Sequence, residues 1–223
     1  MSWDAEGYER VASPQAAWAE EILARASFAP GDHVLDAGCG GGGVTQQLLR
    51  RGLRVTAVDA DAAMVAKARE TLPPEVRVLQ QDLLDLELPE PADGVFSCAV
   101  FHWVLDHDRL FERLHAALRP GGRLVAQCGG HGNIAKVIEA IGERPGRWLY
   151  ATAEETEHRL TRAGFTDVRT WLEPKPTHVP DMATYIETVM LHGQPDAEHT
   201  AKRAAAKLDH LDYVRLNIEA VRG

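Results

Sequence analysis

The feature that most constrains this chain is a run of glycines directly after a short apolar segment. Residues 33–37 (HVLDA) have the pattern of a β-strand, Gly38 and Cys39 follow, and the glycines at 40–43 lead into a helical pattern. This order brings main-chain N–H groups at a helix N-terminus close to a ligand, with no Cβ in the way. A plain turn would gain nothing from so many glycines, which add entropy to the unfolded chain. We therefore expect a ligand at this loop.

Strand-like and helix-like patterns alternate from residue 33 onward. The predicted strands are 33–37, 54–58, 76–80, 94–100, 123–128, 165–172 and 211–221, and the predicted helices are 14–26, 44–51, 62–72, 108–118, 133–141, 153–163 and 182–191. Such alternation predicts a doubly wound α/β fold, with a mostly parallel sheet and helices on both faces. In this fold the glycine loop lies at the carboxyl end of the first strand, where ligands bind.

The C-terminal part is less regular, and we interpret it as part of one domain that spans residues 1–223. Pro174, Pro176 and Pro180 predict that the chain breaks after the strand at 165–172. We therefore interpret residues 174–209 as an insertion between the last two strands that covers the ligand edge of the sheet.

An acidic residue follows the second predicted strand. Asp59 stands where a carboxylate accepts hydrogen bonds from both ribose hydroxyls of an adenosine. The alternative is a helix N-cap for the segment that starts near residue 62, but Asp61 is the better candidate for that cap. Asp59 predicts a nucleoside without identifying it, because NAD and S-adenosylmethionine both carry this ribose.

The glycines alone also fit a dinucleotide site, because Gly38, Gly40 and Gly43 satisfy the pattern G-x-G-x-x-G. Asp36 distinguishes between NAD and S-adenosylmethionine, because its carboxylate repels a pyrophosphate and attracts a sulfonium or an ammonium. Asp82 follows the third strand and is placed to meet the adenine amino group, although an acid there is commonly a turn residue. Together these residues favour S-adenosylmethionine over NAD.

Composition excludes several other classes of function. The formal net charge is −9, and clustered Lys and Arg for nucleic-acid binding are absent from the sequence. No apolar stretch approaches the ~18 residues that predict a membrane span, and no secretory signal is visible. Cys39, Cys98 and Cys128 lack metal-ligand spacing, so we expect no metal and a cytoplasmic protein.

These motifs resemble a known family, the class I S-adenosylmethionine-dependent methyltransferases. The resemblance covers roughly residues 31–130 and lies in four motifs: Asp36-x-Gly38-x-Gly40-x-Gly42, Asp59, Asp82-Leu83 and Pro120-Gly121-Gly122. A closer resemblance, to the trans-aconitate methyltransferase-like branch, lies in Trp3-Asp4 with Tyr8, in Phe101-His102-Trp103-Val104 and in Gln127-Cys128-Gly129-Gly130. The segment 174–209 is short for this branch, which puts the closure of the acceptor pocket in doubt.

The resemblance implies a Rossmann-like, seven-stranded sheet whose last strand is antiparallel. It implies S-adenosylmethionine as cofactor, S-adenosylhomocysteine as product, and an N-terminal segment, residues 1–30, that closes over the cofactor. The implied cofactor-binding residues are Tyr8, Gln15, Asp36, Gly38, Cys39, Gly40, Asp59, Ala60, Met64, Asp82, Leu83, Ala99, Val100 and Trp103. Gly38, Gly40, Ala99 and Val100 would meet the methionine part, Asp59 the ribose, and Asp82 with Leu83 the adenine.

The candidate catalytic residue is His102, which follows the fourth strand. Its ordinary pKa suits a general base, but the residue equally fits packing under a lid with a bond to the backbone. Trp103 and Trp148 are candidates to line the acceptor pocket, although an aromatic residue near the end of a sheet more often serves packing alone. A carboxylate acceptor is already nucleophilic at neutral pH, so a base is optional.

The expected function is therefore methyl transfer to a small molecule, with a carboxylate oxygen as one acceptor. Two alternatives remain open: a cofactor-binding scaffold without turnover, and an NAD-dependent oxidoreductase. The sequence does not distinguish a monomer from a homodimer.

Overall fold

The computed structural model describes residues 13–142, 148–191 and 193–223, with side chains from Trp18 onward. It contains one seven-stranded sheet in the order β3-β2-β1-β4-β5-β7-β6. The strands are β1 (His33–Ala37), β2 (Arg54–Asp59), β3 (Arg77–Gln80), β4 (Ala92–Cys98), β5 (Leu118–Gly129), β6 (Phe165–Thr177) and β7 (Leu211–Arg222). Strand β7 is antiparallel to β5 and to β6, and the pairs from β3 to β5 are parallel. The predicted doubly wound α/β fold is confirmed.

Helices connect the strands in the predicted order. They are α1 (Ser13–Arg25), α2 (Gly43–Arg50), α3 (Ala62–Thr71), α4 (His107–Ala117), α5 (Ala135–Ile141), α6 (Ala153–Arg162), α7 (Met182–Tyr185) and α8 (Ala197–Ala205). A π turn, Ile186–Met190, follows α7 directly. Asp61 caps α3 by accepting from the N–H groups of Ala63 and Met64, which confirms the predicted cap.

Two helical layers cover the sheet because successive side chains of a strand point to opposite faces. Ile22 of α1 packs in one buried cluster with Phe96 of β4. Leu110 of α4 and Leu160 of α6 pack in a second cluster with Val95, on the other face. Strand β1 is buried along its whole length, as expected for a central parallel strand. The strand order reverses between β1 and β4, which opens a crevice at their carboxyl ends.

The last connection, residues 178–210, carries α7, the π turn and α8. Ile186 and Ala201 are buried in the same cluster as Trp18 of α1. The hydroxyls of Tyr185 and Tyr213 lie 2.8 Å apart and tie this connection to the start of β7. This connection between β6 and β7 therefore packs against the α1 side of the sheet.

The predicted break at Pro174 and Pro176 is wrong. Both prolines lie within β6, which stays paired with β7 through Thr177, so the connection to β7 begins after residue 177. Strand β6 is the edge of the sheet, and residues two apart direct their backbone nitrogens to the same side. A proline that faces the open edge removes no ladder hydrogen bond.

Two further boundaries differ from the prediction. Strand β5 begins at Leu118, and the glycine turn lies inside it as an irregularity where the register with β4 shifts between Ala92 and Gly94. Strand β4 ends at Cys98, so Val100 lies beyond it and precedes a 3₁₀ turn, Phe101–Trp103. Both differences arise from pairing with neighbouring strands, which a local pattern does not contain.

Close packing of Phe28 on β4 gives a prediction for stability. In Gly94→Ala the new Cβ would overlap with Phe28 Cε1, so the ring or the strand has to move. We expect a loss of about 1–3 kcal/mol in the free energy of unfolding, measured by urea denaturation. The control is Gly43→Ala at the start of α2, where no atom lies within 4 Å of the added Cβ. It should be neutral or stabilising, and equal stability of the two variants would contradict the packing argument.

Candidate functional site

The glycine loop after β1 is held against the end of β2. The N–H groups of Gly38 and Cys39 both donate to the carbonyl of Val58, at 2.8 and 2.9 Å. Gly38 has φ of +84°, and a Cβ there would overlap with the Val100 side chain. Gly40 also has positive φ, but a Cβ there would have no atom within 4 Å, so the loop is closed at its first glycine and open at its second.

Asp59 connects the glycine loop to the start of α3. One carboxylate oxygen accepts from the N–H of Gly40 at 2.9 Å, and the other accepts from the N–H of Asp61 at 2.9 Å. Burial raises the pKa of Asp59, and these two backbone bonds oppose that rise. The residue predicted to meet a ribose therefore also sets the shape of the loop beside it.

Asp36 is buried beneath the loop, with 1% of its surface exposed. Its carboxyl accepts a hydrogen bond from Thr45 Oγ1 at 2.6 Å. Burial raises the pKa of Asp36 to about 7; the Thr45 bond opposes this rise and the charge of Asp59 adds to it. Among the described residues, no cation lies within ion-pair distance of Asp36 or Asp59. Two neighbouring acids thus lie at this edge without a counter-ion in the described part of the chain.

Three of the predicted contact residues differ in exposure: Cys39 and Met64 are buried, and Ala60 is exposed. Cys39 packs in a small cluster with Ala57 and Val65, and burial raises its pKa. Because the Cys39 thiol faces the core, any contact of Cys39 with a ligand would be through its main chain.

The residues after β3 form a short capped turn. Asp82 is exposed and accepts from the N–H of Leu84 at 2.9 Å, and Leu83 is buried. The turn is joined to β2 because the N–H of Gln81 donates to the carbonyl of Asp59. Asp82 therefore caps a turn, which was the alternative role for an acid at this position, and it lies on the same sheet edge as Asp59.

The turn after β4 brings aromatic side chains together. His102 is 9% exposed, and its Nδ1 accepts from the N–H of Gly129 at 3.3 Å. Burial lowers the pKa of His102 well below its ordinary value, and the charges of Arg215 and His107 lower it further. Because Nδ1 is an acceptor, the neutral ring carries its hydrogen on Nε2. This bond to the backbone was the alternative role for His102.

Trp103 and Trp148, the candidates to line an acceptor pocket, lie together beside this turn. Their ring centroids are 5.6 Å apart in an edge-to-face arrangement, and Trp148 stacks on Tyr150 at 5.7 Å. Ala99 and Val100 are half-buried at the same edge. Tyr8 lies outside the described residues, as does the side chain of Gln15, whose backbone belongs to α1.

The structure also brings to this edge a residue that was not among the predicted site residues, Arg215 of β7. It pairs in register with Gly129, the last residue of β5, and is 2% exposed. The only sequence signal for its burial was the alternation of side chains along a strand, which places residues 213, 215 and 217 on one face.

The described ranges contain no metal centre and no membrane span. No group of three or more His, Cys, Asp or Glu residues there is arranged to hold a metal ion. No helix in those ranges is long and apolar enough to cross a membrane.

Comparisons with known proteins give the same family as the sequence motifs. A family model described as "Methyltransferase domain" matches residues 35–126. The trans-aconitate 2-methyltransferase of Rhizobium meliloti is 33% identical over 84% of this chain and 67% of its own length. That of Acidovorax ebreus is 39% identical over 56% of this chain and 49% of its own length, so the chain spans about half of that relative.

A solved structure supports the fold. Phosphoethanolamine N-methyltransferase 2 of Haemonchus contortus, in complex with S-adenosyl-L-methionine, matches with a TM-score of 0.67 and 24% identity. The match covers 92% of this chain and 52% of that one. From the sheet order, the pinned glycine loop and the relatives together, this chain belongs to the class I S-adenosylmethionine-dependent methyltransferases, in their trans-aconitate methyltransferase-like branch.

Proposed function

We propose that this protein transfers a methyl group from S-adenosylmethionine to a carboxylate oxygen of a small molecule and so forms a methyl ester. The observation that carries the proposal is the charge of the sheet edge. Asp36 and Asp59 lie at the ends of β1 and β2 without a cation partner in the described ranges, whereas the ends of β4, β5 and β7 carry a neutral His102 and the cation of Arg215. The first half suits a cationic methyl donor, and the second half suits an anionic acceptor.

The residues of the loop fit the cofactor of this family. A side chain at Gly38 would collide with Val100, while the space at Gly40 is open for a ligand to approach the main chain. We assign Gly38, Gly40, Ala99 and Val100 to the methionine part. We assign Asp59 to the ribose hydroxyls, because each of its carboxylate oxygens accepts one backbone bond and has a further lone pair with which to accept another.

The remaining contacts follow from position on the same edge. Asp82 and Leu83 would frame the adenine, with Leu83 supplying the apolar surface. Trp103 would lie between the cofactor and the acceptor. The segments 1–30 and 178–210 would cover the cofactor and the acceptor, and so exclude water from the transfer. Two acids without a counter-ion in the described ranges fit a cation and not a pyrophosphate, which is the reason to set the NAD alternative aside.

The reaction needs no base when the acceptor is a carboxylate. A lone pair of the carboxylate oxygen forms the new O–C bond, and the S–C bond breaks with its electrons moving to sulfur. One anion and one cation become a neutral ester and a neutral thioether, and no proton is transferred. The protein's work is to orient the acceptor and to exclude water.

This chemistry changes the role of His102. A buried ring whose Nδ1 accepts from Gly129 is neutral and presents Nε2–H, which donates and does not accept a proton. We infer that His102 orients the acceptor by hydrogen bonding instead of acting as the general base. The names of the relatives, trans-aconitate 2-methyltransferases, support an acceptor of the carboxylate class.

The ribose role of Asp59 is tested by Asp59→Ala. We expect the affinity for S-adenosylhomocysteine to fall by about 1–3 kcal/mol, because charged hydrogen bonds to the ligand are lost. The measurement is isothermal titration calorimetry, with thermal unfolding to confirm that the loop variant is folded. The control is Asp85→Ala, an exposed acid in the turn after β3, which should bind like the unaltered protein. Unchanged affinity in Asp59→Ala would remove the assignment.

The raised pKa of Asp36 gives a prediction about pH. Because the folded-state pKa, about 7, exceeds the ordinary pKa of 3.8, folding favours the protonated form. The free energy of unfolding therefore falls as pH rises between these values, by about 1.4 kcal/mol for each pKa unit at most. Asp36→Asn keeps the acceptor for Thr45 and cannot ionise. We expect this variant to melt higher than the wild type at about pH 8, with a difference that shrinks toward about pH 5.

The same substitution should have the opposite effect on binding. Asp36→Asn removes the negative charge that faces the cofactor, so we expect weaker binding of S-adenosylmethionine at about pH 8 although the protein is more stable. Thermal melts and calorimetry on one preparation measure both. A variant that is less stable than wild type at about pH 8, or that binds the cofactor equally well, would contradict this role.

The reaction itself is tested with methyl-labelled S-adenosylmethionine and a panel of carboxylic acids, with trans-aconitate first, and amines of similar size. We expect label only in the carboxylate products. Mild alkali should release it as methanol, since an ester hydrolyses and an N-methyl group does not. The fully esterified acids are the control. Cofactor binding without transfer to any acceptor would instead support the scaffold alternative.

A further inference from the structure

Arg215 is a buried cation that forms no ion pair within the described part of the protein. It is the largest side chain among the fully buried residues, with 2% of its surface exposed. Its Nη2 is buried without a hydrogen-bond partner, and Nε donates to Gln127 Oε1 at 3.3 Å. Within the described ranges, no carboxylate lies within ion-pair distance of it.

The described groups in contact with Arg215 hold the guanidinium in place, but none of them carries a negative charge that would pair with it. It lies over the ring of Trp18 at 4.8 Å and over the ring of Tyr213 at 5.6 Å. Gln127 is itself occupied, because its amide donates to Asn217 Oδ1 at 2.8 Å. Two aromatic faces and one amide fix the plane of the guanidinium, and an N–H group of its fork is left to donate elsewhere.

Two acids on this face of the sheet, Glu173 and Glu219, are paired with other groups, although Glu173 lies opposite Arg215 in register on β6. Glu173 accepts from Asn217 Nδ2 at 3.3 Å and lies 3.8 Å from Lys175. Glu219 lies 3.7 Å from Arg25, further along β7. Burying an unpaired charge is costly, and an attraction to aromatic rings offsets only part of that cost. An anionic group of a ligand would supply the ion-pair partner that the Arg215 guanidinium lacks.

The position of Arg215 is on the acceptor side of the proposed site. It pairs with Gly129, whose N–H donates to His102, so Arg215 and His102 flank the carboxyl end of β5. In the sheet, β4 and β5 lie between β7, which carries Arg215, and β1, which carries Asp36. The cation is therefore separated from the acids that face the cofactor.

We propose that Arg215 binds a carboxylate of the acceptor other than the one that is methylated, so that the site selects a dicarboxylate or larger polycarboxylate over a monocarboxylate. The inference rests on the proposed function for its reaction and adds the acceptor's second anionic group. The unpartnered Nη2 would donate a charge-assisted hydrogen bond to this carboxylate. A carboxylate paired with this cation is a weaker nucleophile than a free one, so a different carboxylate of the acceptor would attack the methyl group.

The test measures binding, so that it stands apart from turnover. The protein saturated with S-adenosylhomocysteine is titrated with fumarate, trans-aconitate and crotonate; crotonate is fumarate with one carboxylate replaced by a methyl group. We expect the wild type to prefer the two polycarboxylates. In Arg215→Met, which replaces the buried charge by an apolar chain of similar length, we expect their affinity to fall at least about tenfold, with little change for crotonate. Arg215→Lys should lie between.

The control variant is Arg25→Gln, which removes a half-exposed cation of the same face that bonds to Asn217. It should keep the preference for polycarboxylates. Loss of that preference in Arg25→Gln, no preference in the wild type, or unchanged fumarate and trans-aconitate affinity in Arg215→Met each overturns the proposal.

Two further measurements separate the other roles of a buried arginine. If Arg215 binds the cofactor's own carboxylate, Arg215→Met loses affinity for S-adenosylhomocysteine and keeps it for methylthioadenosine, which lacks that carboxylate; this result overturns the proposal. If Arg215 is only structural, all ligands weaken alike in every Arg215 variant, which also overturns it. Absence of methyl ester in the wild type removes the proposed function, while the binding preference still reports on Arg215.

Discussion

The site depends on how the glycine loop is attached to β2. The carbonyl of Val58 accepts from two consecutive N–H groups of the loop, and the carboxylate of Asp59 accepts from a third, that of Gly40. These bonds require β1 and β2 to pair in one register, in which Ala37 lies opposite Val58. A shift of one residue would turn the Asp59 side chain to the other face and release the loop. The geometry of the cofactor cradle is therefore a property of the sheet as much as of the glycines.

The same edge carries charges of opposite sign at its two ends. Asp36 belongs to β1 and Asp59 to β2, whereas Arg215 belongs to β7. Strands β4 and β5 lie between these two groups. In the low dielectric of a buried edge, each charge disfavours folding unless a ligand neutralises it. The positions that weaken the apoprotein are the positions that would recognise a cation on one side and an anion on the other. The apoprotein is therefore less stable at the positions where ligand binding requires a buried charge.

Local sequence patterns predicted the parts of the structure that local chemistry determines. The strand and helix order, the glycine loop and the Asp61 cap all follow from residues within a few positions of each other. The prolines of β6 were misinterpreted because only the sheet order reveals an edge strand. Cys39 faces the core because the loop is pinned to β2, and the protonated nitrogen of His102 is set by an N–H some 27 residues away. Arg215 was not predicted because its burial depends on α1, β5 and β7 together.

The methyl transfer that we propose removes the charges of the two reacting groups, the sulfonium and the carboxylate that is methylated. Before transfer, the sulfonium would face the acids and the reacting carboxylate would lie on the side of Arg215. Afterwards both reacting groups are neutral, so the attraction between donor and acceptor, and much of their attraction to the edge, disappears in the same step. The second carboxylate that we assign to Arg215 is unchanged by the reaction. The acceptor product is then held by one end only, which orients the substrate before transfer and permits the ester to leave after it.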